Sequence, residues 1–374
     1  MKLLVCTPEY YPYGAGIANR VYNIVTQLRK LRVDCTVCSP SGPDIKLGSS
    51  YLIRKFGRLG LIYYWNKVAN YFKETAGEYD IAWLNYPLFL RADPFKRKLI
   101  TIDSTAYGKI THKMYPLPLH AYYKISFQIE KYCLRKVNNH RTRFTMLTSQ
   151  GVDELKGVGI ATKDIVCISN GVDTERFKPS NRKRELRRRF NLPEDGRILL
   201  SLGRLTEVKQ PYKLIALFSS VEKILNDVTL AVAGSGKLAE KTRKLANDKG
   251  LKKIRFLGNM DYQNEVPDLY ACSDYYIMTS KYEGLPLTLL EAMSSGLPCI
   301  VSDIPSLRLV EEVKCGIMVD LNNDRKATQQ IIEYLGRNTL EHSKNAREYA
   351  IKTLTWEKVT KQYLKEFEEL LRKE

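Results

Sequence analysis

The chain has 374 residues, with 60 Lys plus Arg against 41 Asp plus Glu, a formal net charge of +19, and 44% hydrophobic residues. Such a composition excludes a disordered chain, a collagen, a disulfide-stapled miniprotein and a single small module. At roughly 100 to 200 residues per domain the length suggests two domains, each large enough to bury its own core, with a cleft between them as the expected ligand position.

In chain order, Leu3 to Thr7 is a short apolar run leading into a loop that holds Gly14-Ala15-Gly16. From Ile17 onward Val21, Ile24, Val25, Leu28 and Leu31 recur with helical spacing, so this unit reads strand, glycine loop, helix. Val33 to Cys38, Ile81 to Leu84, Leu99 to Ile102 and Phe144 to Leu147 are further strand candidates separated by helical or irregular segments. A second series follows the polar run 181–189: Ile198 to Leu202, Val228 to Ala233, Ile254 to Leu257, Tyr275 to Met278, Cys299 to Val301 and Gly316 to Val319. Alternation of this kind argues for α/β structure with parallel sheets, here two Rossmann-like doubly wound domains meeting near residue 178. The domains expected are 1–178 and 179–355, with a last helix over Trp356 to Leu371 able to pack on either.

The charge is uneven, net +13 over residues 1–178, +5 over 179–190 and +1 over 191–374. A basic first half attracts phosphate-rich partners or an anionic membrane, or simply confers solubility. The run 181–189 lacks interleaved aromatics, which favours a solvated helix face or linker over a nucleic-acid contact, and no nucleic-acid partner is expected. The eight cysteines lie mostly in apolar runs and read as reduced core residues; Cys35 and Cys38 have metal-ligand spacing but no second pair and no nearby His. The N-terminal apolar run is too short for a signal peptide, and no stretch reaches the roughly 18 apolar residues of a membrane span, so a cytoplasmic protein, peripheral on the inner membrane face at most, is expected.

Several constellations could carry chemistry. Gly14-Ala15-Gly16 and Gly234-Ser235-Gly236 stand where a strand meets a helix, and such junctions aim backbone N–H groups at an anion; tight turns also need Gly without any ligand. No Asp-x-Asp pair occurs, so phosphates would be held by side-chain cations rather than by a carboxylate-bound metal. Arg204 and Lys209, in Gly203-Arg204-Leu205-Thr206-Glu207-Val208-Lys209, stand just past a strand, where ligands sit in open α/β sheets. Glu283 and Glu291 flank Gly284-Leu285-Pro286-Leu287-Thr288. Carboxylates suit sugar diols, while the plain alternative is a helix cap for Glu283 and a solvated face for Glu291.

Taken in order, these pieces resemble the retaining glycosyltransferases of the GT-B fold, family four, also called group one. The matching stretches are Ile168 to Asp173 with Phe177 and Pro179, Gly203-Arg204-Leu205 with Lys209, Ala233 to Gly236, Phe256-Leu257-Gly258, Leu269 to Asp274, and Ser280 through Glu291 to Pro298. In the first half the likeness rests on the Gly14-x-Gly16 loop, Tyr79-Asp80 and Glu130. The resemblance implies that Arg204 and Lys209 clamp a diphosphate, Glu283 binds the transferred sugar and Glu291 the ribose. It also implies that Leu287 and Thr288 offer N–H groups to the β-phosphate, with Gly203, Gly234, Gly236, Leu257, Gly284 and Leu285 around the donor and Gly14 and Gly16 closing over it. Asp103 stands where the family often has a histidine that touches the donor sugar, and Pro286 removes one N–H from the phosphate-facing turn. The last helix is implied to cross back onto the first domain.

The function expected is retaining, metal-independent hexosyl transfer from a UDP- or GDP-sugar to a glycan or lipid-linked acceptor, with no cofactor. Alternatives are a soluble transferase or epimerase on the same fold, or a catalytically silent sugar-nucleotide-binding module. Arg54, Lys55, Arg58 and Lys67 with Tyr63, Tyr64, Trp65, Tyr71 and Phe72, and Lys124, Lys131, Arg135 and Lys136 with Tyr122, Tyr123 and Tyr132, suit docking on an anionic membrane through the first domain; core packing explains the aromatics equally well.

Overall fold

A computed structural model describes residues 1–12, 16–91, 93–111 and 117–372. The chain divides into two compact units, Met1–Gly171 with Trp356–Glu374, and Val172–Thr355. The division falls after Gly171, against the position near 178 that the sequence suggested.

In the first unit the strands are β1 (Lys2–Cys6), β2 (Asp34–Ser39), β3 (Ile45–Lys46), β4 (Ile81–Asn85), β5 (Lys98–Ile102), β6 (Thr142–Met146) and β7 (Ile165–Cys167). They form one parallel sheet in the order β3-β2-β1-β4-β5-β6-β7. Every residue of β4 and β5 is buried, as a sheet covered on both faces requires. Even Lys98 is inside, its ammonium paired with Asp93 and donating to the Phe95 carbonyl at 2.8 Å. Leu4, Leu84, Ile100 and Phe144 of the strands pack with Trp65 and Val68 of the helix Arg58–Tyr71.

The last helix, Trp356–Leu371, belongs to this unit. Trp356, Val359, Thr360, Tyr363, Glu366, Phe367 and Leu370 are buried at three- and four-residue intervals, one stripe of an amphipathic helix. Tyr363 and Phe367 set their rings 5.1 and 6.2 Å from that of Trp83 on β4, and Arg143 on β6 reaches Glu366 at 3.3 Å and Glu369 at 3.4 Å.

In the second unit β8 (Arg197–Leu202), β9 (Val228–Ala233), β10 (Ile254–Gly258), β11 (Tyr275–Met278), β12 (Cys299–Ser302) and β13 (Gly316–Val319) form a parallel sheet ordered β10-β9-β8-β11-β12-β13. This is the doubly wound order whose topological switch point lies between its first and fourth strands, β8 and β11. Leu199, Val232, Ile277 and Ile300 pack with Leu214 and Phe218 of the helix Pro211–Ile224.

The strands expected from sequence are all present, and the two short ones that were not expected, β3 and β7, lie at the edges of the first sheet. The basic run is only in part a solvated face. It folds as the helix Lys183–Arg189, in which Arg187 is buried, donates to the carbonyls of Cys272, Glu194 and Gly196 at 2.9–3.0 Å and pairs with Asp274. A guanidinium with five donors can tie a helix to two other segments at once, here the loop before β8 and the junction before β11, which is why this basic residue is internal. All eight cysteines are free and only Cys167 is exposed.

Candidate functional site

In the second unit, the loops leaving β8 and β9 are knitted together by backbone bonds. Gly203 N–H donates to the Ala233 carbonyl at 3.0 Å, Leu205 N–H to that of Ser235 at 2.8 Å and Gly234 N–H to that of Gly258 at 2.6 Å. A Cβ at Gly234, whose φ is +126°, would stand 2.0 Å from the Gly203 carbonyl oxygen, so the close approach of the two loops requires glycine there. Next to them Leu257 is the extra residue of a bulge, since Phe256 pairs with Val232 and Gly258 with Ala233.

Lys209 and Glu283 come from the loops after β8 and β11, on either side of the switch point, and their side chains meet at 2.5 Å. The two loops are tied by Lys281 N–H to the Val208 carbonyl at 2.8 Å and by the Thr279 hydroxyl to the Lys209 carbonyl at 3.0 Å. The ammonium and carboxylate remain partly accessible, at 23% and 12%. Glu283 is therefore an ion-pair partner of Lys209 rather than a helix cap. Arg204 is exposed, and its side chain makes no hydrogen bond or ion pair among the described residues.

Gly284 and Leu285 lead to the helix Leu287–Ser294, whose N-cap is Pro286; no side chain caps it and no acidic residue lies in its first turn. The N–H groups of Leu289 and Leu290 return to the Pro286 carbonyl, which leaves those of Leu287 and Thr288 without an acceptor inside the helix.

Glu291 lies one turn further, 2% exposed, which removes the solvated-face reading. Its two oxygens accept from the hydroxyls of Tyr262 at 2.7 Å and Tyr270 at 3.1 Å, and burial pushes its pKa up while those bonds oppose the rise. The sequence pointed to neither tyrosine as a partner of this carboxylate. Tyr262 is itself fixed by Arg176, whose guanidinium stacks 4.6 Å from its ring and donates to its carbonyl.

In the first unit a second concave site opens at the carboxyl ends of β4 and β5. A cavity of about 290 Å³ is lined among others by Arg20, Arg58, Asn85, Tyr86, Asp103 and Lys109. Asp103 is paired with Arg20, which is 1% exposed and also donates to Asn85 at 3.1 Å. Sequence reading passed over Arg20, although it sits on the same stripe as the buried Ile24 and Leu28, where a cation needs an internal partner. Glu130, fully buried, accepts from the Tyr86 hydroxyl at 2.6 Å and the Ala106 N–H at 2.7 Å. Gly16 begins the helix Gly16–Lys30, and Gly14 lies outside the described residues. Among the described residues no group of three or more His, Cys, Asp or Glu side chains could hold a metal ion, and no helix is long and apolar enough to cross a membrane.

Comparison with known proteins matches two family models to the chain, "Glycosyltransferase Family 4" over residues 14–176 and "Glycosyl transferases group 1" over 182–353. The chain belongs to the family-four, group 1 glycosyltransferases. This family-four chain is 31% identical over 174 residues to the Escherichia coli UDP-Gal:alpha-D-GlcNAc-diphosphoundecaprenol alpha-1,3-galactosyltransferase, covering 45% of the chain and 44% of that protein. It is 30% identical over 175 residues to a Mycobacterium tuberculosis GDP-mannose-dependent alpha-(1-6)-phosphatidylinositol monomannoside mannosyltransferase, covering 44% and 45%. The matched region thus spans less than half the length of these relatives. Among solved structures, sucrose-phosphate synthase from Thermosynechococcus elongatus superposes with a TM-score of 0.79 at 21% identity, covering 99% of each chain. WaaG, a glycosyltransferase involved in lipopolysaccharide biosynthesis, gives 0.75 at 20%, covering 96% of this chain and 98% of that one. The family-four chain therefore has the GT-B fold.

Proposed function

We propose that the chain is a retaining hexosyltransferase that moves a sugar from a UDP- or GDP-sugar to a hydroxyl of a glycan or lipid-linked acceptor without a metal ion. The observation that carries this reading is the Lys209–Glu283 pair at the switch point of the second sheet, beside the uncapped start of the helix Leu287–Ser294. Lys209 and the exposed Arg204 supply the positive charge that a departing diphosphate needs. The N–H groups of Leu287 and Thr288 add fixed dipoles, an arrangement most useful where negative charge grows in the transition state. Glu283 uses one oxygen for Lys209, and its other oxygen has no partner among the described residues and suits a sugar hydroxyl. Glu291, with lone pairs beyond the two that its tyrosines occupy, suits the ribose. Leu257 stands at the edge for the base. Attack on the donor's front face, with the leaving phosphate taking the acceptor proton, needs no side-chain base; Asp103, held by Arg20, lines the concave site of the first unit.

The curated relatives support the donor class, since one is named for UDP-galactose and another for GDP-mannose, as does an Anabaena neighbour solved with UDP and glucose. Their named acceptors, a diphosphoundecaprenol and a phosphatidylinositol mannoside, support a lipid-linked acceptor. Docking on an anionic inner membrane face is supported by Tyr51, Phe56, Leu59 and Ile125, 49–67% exposed on three helices of the first unit. Lys55 lies over the rings of Tyr51 and Phe56 at 5.3 and 5.5 Å, and Lys67 and Lys136 lie over Tyr63 and Tyr132. Of the aromatics named from sequence, Tyr64, Trp65 and Phe72 are core and Tyr63, Tyr71, Tyr122 and Tyr132 are surface.

The test is a thermal-shift panel of UDP, GDP and ADP with their sugars in EDTA. A nucleotide at about a hundred times its dissociation constant stabilises the fold by roughly 2.7 kcal/mol. Stabilisation by UDP or GDP in EDTA is the expected result, and no shift with any of them overturns the reading. Gly234→Ala should weaken that nucleotide at least about tenfold, because a positive-φ strain of roughly 1–3 kcal/mol adds to the collision with Gly203. Isothermal titration of the folded variant checks it, and unchanged affinity would show that this loop does not shape the site.

A further inference from the structure

We infer that the cavity of the first unit is an acceptor subsite for a phosphate or diphosphate ester, with Arg58 and Lys109 as its cations. The inference rests on the transferase reading above and adds which chemical group of the acceptor is recognised and by which residues.

The cavity brings together cations and hydrogen-bond donors with few internal acceptors to match them. Arg58, at the start of the helix Arg58–Tyr71, is nine-tenths buried and lies 4.0 Å from the Glu130 carboxylate through Nη2 alone. Its Nη1 finds no partner among the described residues, and neither does Nδ2 of the fully buried Asn85, whose Oδ1 is oriented by Arg20. The ammonium of Lys109, on the short helix Ala106–Thr111, makes no hydrogen bond or ion pair among the described residues and lies 5.4 Å from the Tyr123 ring centroid. Burial, with Arg58 nearby, lowers its pKa to about 8 against the opposing pull of Glu130 and Glu154.

The unmatched donors give the ligand's character. Arg20 is answered by Asp103, Arg58 in part by Glu130, which also serves the Tyr86 hydroxyl and the Ala106 N–H, and Glu154, which accepts from the Thr105 hydroxyl at 2.7 Å, acts on Lys109 without pairing with it, so the Lys109 ammonium keeps its donors for a ligand. Unmatched buried donors are costly, and a ligand rich in acceptor oxygens removes that cost. A phosphate offers oxygens in several directions, matching donors that arrive from three elements, β4 and two helices, whereas a carboxylate offers them in one plane. Tyr122 and Tyr123 form an aromatic wall of the same cavity, suited to a sugar face beside the phosphate.

The experiment titrates the full chain, saturated with the nucleotide that stabilises it, with hexyl diphosphate, N-acetylglucosamine 1-phosphate, hexanoate and hexanol. Binding of either phosphate ester, with hexanoate and hexanol at least tenfold weaker, is expected, and the tighter of the two esters distinguishes a lipid-linked from a soluble acceptor. Lys109→Met should weaken the ester at least tenfold and Arg58→Lys several-fold, both keeping wild-type nucleotide affinity as evidence of folding. The groups facing Lys109 are Arg58, Tyr123, Glu130 and Glu154, and the wild-type affinity should fall as pH rises through about 8, where the ammonium loses its proton. In Lys109→Met that fall should disappear. Nucleotide binding with no ester binding, hexanoate binding as tightly as the esters, or an ester affinity unchanged in both variants overturns this inference alone. Failure to bind any nucleotide overturns the transferase reading beneath it.

Discussion

Replacing Lys209 by Ala should lower kcat by about 10² to 10³, a loss of roughly 2.7–4 kcal/mol of transition-state stabilisation, the range seen when one preorganised donor to a developing anion is removed. The effect is large because Lys209 is placed before the substrate arrives. Its ammonium is held 2.5 Å from Glu283, and its backbone is pinned through Thr279. An ordered cation pays no reorganisation at the moment of reaction, unlike the exposed Arg204, whose side chain has no internal partner. Arg204→Ala should therefore cost less in kcat than Lys209→Ala. Loss of an interaction made mainly in the transition state lowers kcat and kcat/KM together, whereas loss of uniform donor binding raises KM alone. Steady-state kinetics over a range of donor concentration separates the two. A Lys209→Ala chain with kcat within threefold of wild type would remove the cation clamp from the mechanism.

Trp83→Ala should destabilise the first unit by about 3–5 kcal/mol, the cost of emptying a large aromatic site in a closed core. Trp83 is fully buried in β4 and contacts Tyr363 and Phe367 of the last helix, so the void would open where that helix meets the sheet. Its indole N–H donates to the Thr101 hydroxyl at 2.8 Å, which in turn accepts from Thr145 at 2.7 Å, so the substitution also takes a donor from a buried chain of hydroxyls. For a unit of this size the melting transition should fall by roughly 6–20 °C. Arg204, Lys209, Glu283 and Glu291, proposed above to hold the nucleotide sugar, lie in the other unit, so nucleotide affinity below the transition should be kept. Calorimetry with and without UDP measures both, and an unchanged transition would mean that the last helix contributes little to the first unit.

Both sheets were legible in the sequence because their strands are buried on both faces and so read as short continuous apolar runs, such as Val228 to Ala233. The edge strands β3 and β7 were not, since two or three residues leave no pattern. At the candidate site the loop motifs could be seen, because backbone conformations that demand glycine, and turns into helices, are written locally. What could not be seen are partners distant in the chain. Glu283 and Lys209 are 74 positions apart, Arg20 and Asp103 are 83, and Tyr262 and Glu291 are 29. Glu283 read equally as a helix cap and Glu291 as a solvated face until these partners were known. Arg187 shows the converse, a residue hidden by similar neighbours: five other cations stand between 182 and 189, and only the buried carbonyls of other loops distinguish it.

The way the last helix joins its unit bears on how the chain is made. Because Trp356–Leu371 completes a body begun by the first 171 residues, the early segment stays unfinished during synthesis until the whole of Val172–Thr355 has emerged. Joining distant segments normally carries an entropic cost that grows with the intervening length. Here the intervening unit lowers that cost by folding. Its first and last residues, Val172 and Thr355, form a parallel bridge, and Val172 N–H donates to the Leu354 carbonyl at 2.7 Å. Trp356 is thus delivered next to Gly171, where a Cβ would stand only 2.5 Å from the indole. The insertion acts as a clasp, and its own folding brings together the two ends that the other body needs.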